Sequence, residues 1–199
     1  MPFLPSPLIE RALDLAISAH CDQRRKLSGT PYVSHPIMVA WTLLQAGFTD
    51  ENWLAAALLH DVIEDTAVTR EELAQQFPAA VIAIVDEVSE QKLDATGQKR
   101  SWSARKQDHL EQIRGASAGG RAVTLADKLH NLTSIVAAVR TDPVHWTAFN
   151  ASPAQLVCYY QNMIEAAAAT DPELASLYAA CQPLVAELSR LAEQLPSSG

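Results

Sequence analysis

The sequence predicts an all-α, single-domain fold, and three observations carry that prediction. Alanine and leucine dominate long stretches while glycine is held to 7 residues, a composition that favours helix over sheet. Apolar residues recur at helical spacing along these stretches, and no segment shows the alternation of a strand. The 199 residues suit one domain, 1–199, and are enough to bury a core without a disulfide or zinc staple.

The elements follow in order. In PLIERALDLAISAHC (7–21), Leu8, Ala12, Leu15, Ala16 and Ala19 share a helical face, and Pro7 suits a first turn. DQRRKLSGTPY breaks that spacing with Ser, Gly and Pro and reads as a loop. A second helix follows His35-Pro36 and runs through IMVAWTLLQAG to a stop at Gly47. Asp50 caps a third, which starts near Glu51 and carries WLAAALLHDVIED. A short helix from about Thr69 to Phe77 opens with a capping-box TREE run, and Pro78 starts the apolar AAVIAIVDEVSE. Residues 91–104 are polar, contain Gly97, and are expected to form a mobile loop. ARKQDHLEQIR resumes helical spacing, GASAGG interrupts it, and RAVTLADKLHNLTSIVAAVR forms a strongly apolar helix around Asp127. After the loop TDPVHWTAFNASP, two amphipathic helices, about 154–169 and 172–194, pack on the rest, and the final PSSG is expected to fray.

A formal charge of -8 argues against a general nucleic-acid binder, because phosphate backbones reward a basic surface. Two local basic patches stand against that sum, Arg24-Arg25-Lys26 and the set Lys92, Lys99, Arg100, Arg105 and Lys106. On an acidic protein such patches can prepare a pocket for a small, highly charged anion. Cys21, Cys158 and Cys181 are far apart and form no CxxC pair, as expected of reduced thiols in a cytoplasmic protein. The N-terminus lacks the pattern of a secretory signal, and no apolar run approaches the ~20 residues that span a bilayer. The sequence is compatible with a homo-oligomer.

Chemistry concentrates where ionisable residues interrupt apolar helices. ALLHDVIEDT sets His60, Asp61, Glu64 and Asp65 directly after a hydrophobic run. At ~3.6 residues per turn, His60 and Glu64 share one face and Asp61 and Asp65 another. A lone His-Asp pair is usually a helix end with surface carboxylates; four such groups within six positions weaken that reading. Asp127 is flanked by Leu125, Ala126, Leu129 and Leu132, and an unpaired carboxylate is expensive to bury. Pairing with Lys128 would relieve it; a metal ion is the sharper explanation. With His35 added, two imidazoles and two carboxylates come from three separate segments. That mixed N/O set suits Mn, Fe, Co or another first-row divalent ion, able to polarise a phosphorus centre and activate water near neutral pH.

In these residues the chain resembles the HD-domain superfamily, and more narrowly the hydrolase domain of the RelA/SpoT family and its small stand-alone alarmone hydrolases. The resemblance runs through His20, QRRK (23–26), GTPYVSHP ending at His35-Pro36, LAAALLHDVIEDT (54–66) and LADKLHNL (125–132). It covers a core of about 8–140. It implies an HD-type helical bundle that removes the 3′-pyrophosphate from ppGpp or a related nucleotide with Mn2+. His35, His60, Asp61 and Asp127 would be the metal ligands. Glu64 and Asp65 would orient or deprotonate the attacking water, and Arg25, Lys26 and Asn131 would contact the nucleotide. The chain departs from the family's K-L-A-D and N-[ML]-R at Thr124 and Thr133. Both changes remove positive charge, which Arg105 and Lys106 of the basic set could restore as substrate-binding residues. With no synthetase segment in view, a hydrolase alone is expected. The alternatives are a general HD-domain nucleotidase and a non-catalytic nucleotide- or metal-binding sensor; a cyclic-dinucleotide phosphodiesterase would carry a GYP-type motif that is missing. Trp146, Tyr159 and Tyr160 are available for a nucleoside, although aromatics at such spacing are more often core. His20, His109, His130 and His145 read as structural or exposed.

Overall fold

The computed structural model describes residues 6–94, 96–168 and 171–195. Among them the chain forms α1 (Pro7–Ala19), α2 (Ser34–Gln45), α3 (Glu51–Leu59), α4 (Val62–Asp65), α5 (Arg70–Gln76), α6 (Ala79–Val88), α7 (Trp102–Arg114), α8 (Ala118–Thr141), α9 (Pro153–Ala168) and α10 (Ala175–Glu193). Short 3-10 segments occupy Pro143–Ala148 and Pro172–Leu174. The result is an all-α, single-domain bundle; its pairings outside helices are isolated bridges, Arg24 with Pro31 and Leu93 with Lys99. The frayed end expected for PSSG lies outside the described residues. None of the described helices is long and apolar enough to cross a membrane.

Local signals place the helix starts. The Asp50 carboxylate accepts from the Asn52 and Trp53 amides, and Thr69 and Glu72 form a reciprocal capping box. Each cap is worth about 1 kcal/mol. Helix α8 is buried at every position from Ala122 to Lys128 and takes the middle of the bundle, where α2, α3, α6, α9 and α10 cover it. Asp127 therefore lies in the centre of the protein.

Three expectations are corrected. The third helix does not run through HDVIED: it stops at Leu59 and resumes at Val62 as α4. The His60 Nδ1 donates to the Ala57 carbonyl at 2.8 Å, the group an unbroken helix would pair with the Asp61 amide. The break lets both His60 and Asp61 face inward, which adjacent residues of a regular helix, about 100° apart, could not do equally. Second, the interruption at GASAGG is confined to Gly115–Ser117, and Gly119 and Gly120 lie inside α8. A Cβ on Gly119 would stand 2.8 Å from both Ile84 Cδ1 and Trp53 Nε1, so glycine permits the close approach of α8 to α3 and α6. Third, the loop expected at 91–104 ends at Ser101, whose hydroxyl caps α7 by accepting from the Ala104 amide.

Gly119→Ala is accordingly expected to destabilise the fold by about 1–3 kcal/mol through overpacking. This should outweigh the roughly 0.5–1 kcal/mol that Ala gains over Gly within a helix. Gly120→Ala meets only the Glu87 carboxylate tip and the Ala116 and Glu87 Cβ atoms, and should cost less. Urea midpoints of the two variants check the order; equal midpoints would contradict it.

Candidate metal centre

The start of α2, the α3–α4 break and the middle of α8 bring His35, His60, Asp61 and Asp127 around one point. His35 Nε2 lies 3.0 Å from Asp127 Oδ1 and 3.6 Å from Asp61 Oδ2. His60 Nε2 lies 3.1 Å from Asp61 Oδ2 and 3.8 Å from Asp127 Oδ1. His35, His60 and Asp127 offer ligand atoms within 4.8 Å of one another, a divalent-metal-binding triad, and Asp61 stands beside them.

The donor set fits such an ion. Because a carbonyl can only accept, the His60 Nδ1 carries the proton shared with Ala57, which leaves the neutral ring's lone pair on Nε2. That Nε2 is buried and makes no hydrogen bond. Burial opposes charge on His60, but the Asp61 carboxylate outweighs it and pushes the imidazole up to about 9. Two converging carboxylates thus draw positive charge into the site, the balance a divalent cation would satisfy. Burial opposes charge on Asp127 too; Lys128 and His35 overcome it and hold this carboxyl well below its usual range.

A surrounding layer fixes these groups. His35 Nδ1 and His130 Nδ1 are 2.7 Å apart, and the two rings stack. Burial, then the neighbouring His35 and Arg25, lowers His130 to about 4, so a neutral His130 can accept the His35 proton and leave Nε2 free to coordinate. Asn131 donates to Asp127 Oδ1 at 2.5 Å and accepts from Arg25 at 2.9 Å. Lys128 donates to Asp127 Oδ2 at 2.6 Å. The Tyr32 hydroxyl donates to Asp61 Oδ2 at 2.6 Å, and burial, then the Asp61 carboxylate, raises its pKa.

Glu64 and Asp65 line the same cavity, of about 200 Å³. Lys92 binds both: its ammonium contacts Asp65 Oδ1 and lies 3.2 Å from Glu64 Oε1. The Glu90 amide donates to Glu64 Oε2 at 3.1 Å. Burial, then the Asp61 charge, raises the Glu64 carboxyl above its usual range. Lys106 also lines the cavity, while Arg105 lines an adjoining groove; both ion-pair with the buried Glu90. Lys26 stands apart from the metal residues, in the wider grooves that hold Lys92 and Lys106. Trp146 belongs to the core, and Tyr160, though buried, also reaches the cavity wall.

Sequence reading missed the service of Tyr32, Lys92 and His130, whereas the pairing of Lys128 with Asp127, named there as one way to relieve the buried carboxylate, is formed. Tyr32 was visible within GTPYVSHP. For Lys92 and His130 the chain offers no local signal, because their partners lie 27 and 95 positions away.

The model of the HD domain family matches residues 12–149. The Mus musculus protein named guanosine-3′,5′-bis(diphosphate) 3′-pyrophosphohydrolase MESH1 is 44% identical over 138 residues, 68% of this chain and 72% of its own. The protein of that name from Drosophila melanogaster is 38% identical over 149 residues, 74% of this chain and 78% of its own. A solved structure described as a metazoan ortholog of SpoT that hydrolyzes ppGpp and plays a role in starvation responses aligns with TM-score 0.73 and 29% identity. It covers 96% of this chain and 97% of its own.

Proposed function

The chain belongs to the HD-domain family, in its RelA/SpoT-like ppGpp-hydrolase branch, and from that premise we propose that this metal-dependent phosphohydrolase is a Mn2+-dependent guanosine-3′,5′-bis(diphosphate) 3′-pyrophosphohydrolase of the cytoplasm. The observation that carries the reading is the convergence of the metal triad with Glu64 and Asp65 on one cavity. Mn2+ is favoured because the donors are imidazole nitrogens and carboxylate oxygens, with no thiolate.

In the reaction, the bond between the ribose 3′-oxygen and its phosphorus breaks, and one forms between a water oxygen and that phosphorus. The proton lost by water is balanced by one gained at the 3′-oxygen, so that pyrophosphate and GDP leave. When bound, the ion supplies Lewis-acid polarisation and lowers the pKa of water. The protein provides position and proton handling. Glu64, raised by burial and by Asp61, is the group best suited to take a proton and return it. Asp65 orients the water, and Lys92 fixes the separation of the two carboxylates. Arg25 and Lys26 stand beside the wider groove, where further phosphates of a nucleotide would lie. Asn131 serves Asp127 and Arg25 through its two amide ends, so its service to the nucleotide runs through Arg25.

Metal-stripped protein supplied in turn with Mn2+, Mg2+, Zn2+ or Co2+ should turn over ppGpp, pppGpp or ppApp fastest with Mn2+. The products should be pyrophosphate and a nucleoside carrying only 5′-phosphates. Release of inorganic phosphate alone, or preferential cleavage of dNTPs, would replace this reading with a general nucleotidase.

A further inference from the structure

The cavity lining holds a residue that the reaction above does not use. His109, on α7, is 6% exposed, lines the cavity, and makes no hydrogen bond through either ring nitrogen. Its nearest anionic neighbour, Glu90 Oε2, is 3.9 Å from Nδ1, beyond hydrogen-bond reach, because Glu90 is held by Arg105 and Lys106. The buried Thr124 hydroxyl on the same lining donates to the Gly120 carbonyl and makes no bond to His109. Lys106 and Lys128 open onto the same space, and the Asp127 carboxylate that pairs with Lys128 belongs to the metal triad. Burial, then Lys128 and Lys106, lowers His109 to about 4, so it is neutral near pH 7 and keeps one N–H to give. An unused buried donor on a cavity that two ammonium groups also line suits a ligand that is anionic and rich in acceptor oxygens.

We propose that this wall is a phosphate subsite, in which His109 donates to an oxygen of the terminal phosphate of the leaving pyrophosphate while Lys106 and Lys128 face its charge. The inference rests on pyrophosphate being the leaving group. It makes His109 a specificity-determining residue: a 3′-diphosphate fills the subsite and a 3′-monophosphate does not.

The test compares inorganic pyrophosphate with inorganic phosphate on the Mn2+-loaded protein by calorimetry. Wild type should prefer pyrophosphate, and His109→Leu should weaken pyrophosphate about tenfold or more while leaving phosphate unchanged, as expected for a lost bond to a charged group. The KM for ppGpp should rise in parallel. His109→Gln, which keeps a donor, should retain most of the preference. Because His109→Leu removes two unpartnered buried nitrogens, its unfolding temperature should equal or exceed that of wild type. Unchanged pyrophosphate affinity and KM in His109→Leu would overturn the subsite. Should that variant fail to fold, the His109 ring-nitrogen resonances of the wild type decide: they should shift on pyrophosphate addition, and stationary signals would overturn it. If ppGpp is not a substrate yet the pyrophosphate preference depends on His109, the substrate reading falls and the subsite stands.

Discussion

Asp127→Ala is expected to abolish Mn2+ binding and, with it, turnover. Even outer partners of metal ligands typically contribute about 10–100-fold in affinity or activity, and Asp127 faces both imidazoles directly. The substitution also strands Lys128, a buried lysine whose ammonium pairs with Asp127 Oδ2. Breaking a buried pair on one side costs about 3–5 kcal/mol, so the fold should weaken as well as lose its metal. The double variant Asp127→Ala, Lys128→Met separates the two effects, because it removes the stranded charge without restoring a ligand. Its unfolding midpoint should recover toward wild type while calorimetry with Mn2+ still shows no binding. Wild-type activity in Asp127→Ala would sink the proposed ligand set.

The second large effect is expected at Glu64. Glu64→Gln keeps the shape of the side chain and removes its capacity to exchange a proton, and kcat should fall by about 10²–10⁴, the usual range for a general acid-base group. Mn2+ affinity should hold, since Glu64 lies outside the triad. Lys92→Met should give a smaller loss, about 10–100-fold by analogy with outer-shell partners. It leaves both carboxylates in place but removes the ammonium that holds them together. If Glu64→Gln retains wild-type kcat while Asp65→Asn is inactive, the proton-handling role passes to Asp65.

Much of the fold was legible because helix signals are local. Spacing over a few turns, Pro7 at a first turn, and Asp50 and Thr69 at caps act within four residues of where they sit. Legibility failed where a side chain competed with the backbone or a neighbouring helix came close. Nothing in LLHDVIED announces that the His60 ring will take the Ala57 carbonyl and break the helix. Nothing in GASAGG tells a loop glycine from one facing Trp53 and Ile84. The polar residues were legible as candidates because ionisable groups amid apolar ones are costly to bury and so invite a reason.

By itself, then, the sequence determined the helical order, the burial of the segment around Asp127, and the residue types available to a divalent ion. Each is a property of composition or of spacing within a few turns. Tertiary structure decided which of those residues meet and what state they hold. His35 rests on His130 across 95 positions, Arg25 reaches Asn131 across 106, and Lys92 clamps Glu64 and Asp65. It also decided that Lys128 answers Asp127 and that His109 faces the cavity with both nitrogens unspent. Electrostatic energy in a buried site depends on separations of a few ångströms and on exclusion of water. Both arise only when distant segments pack.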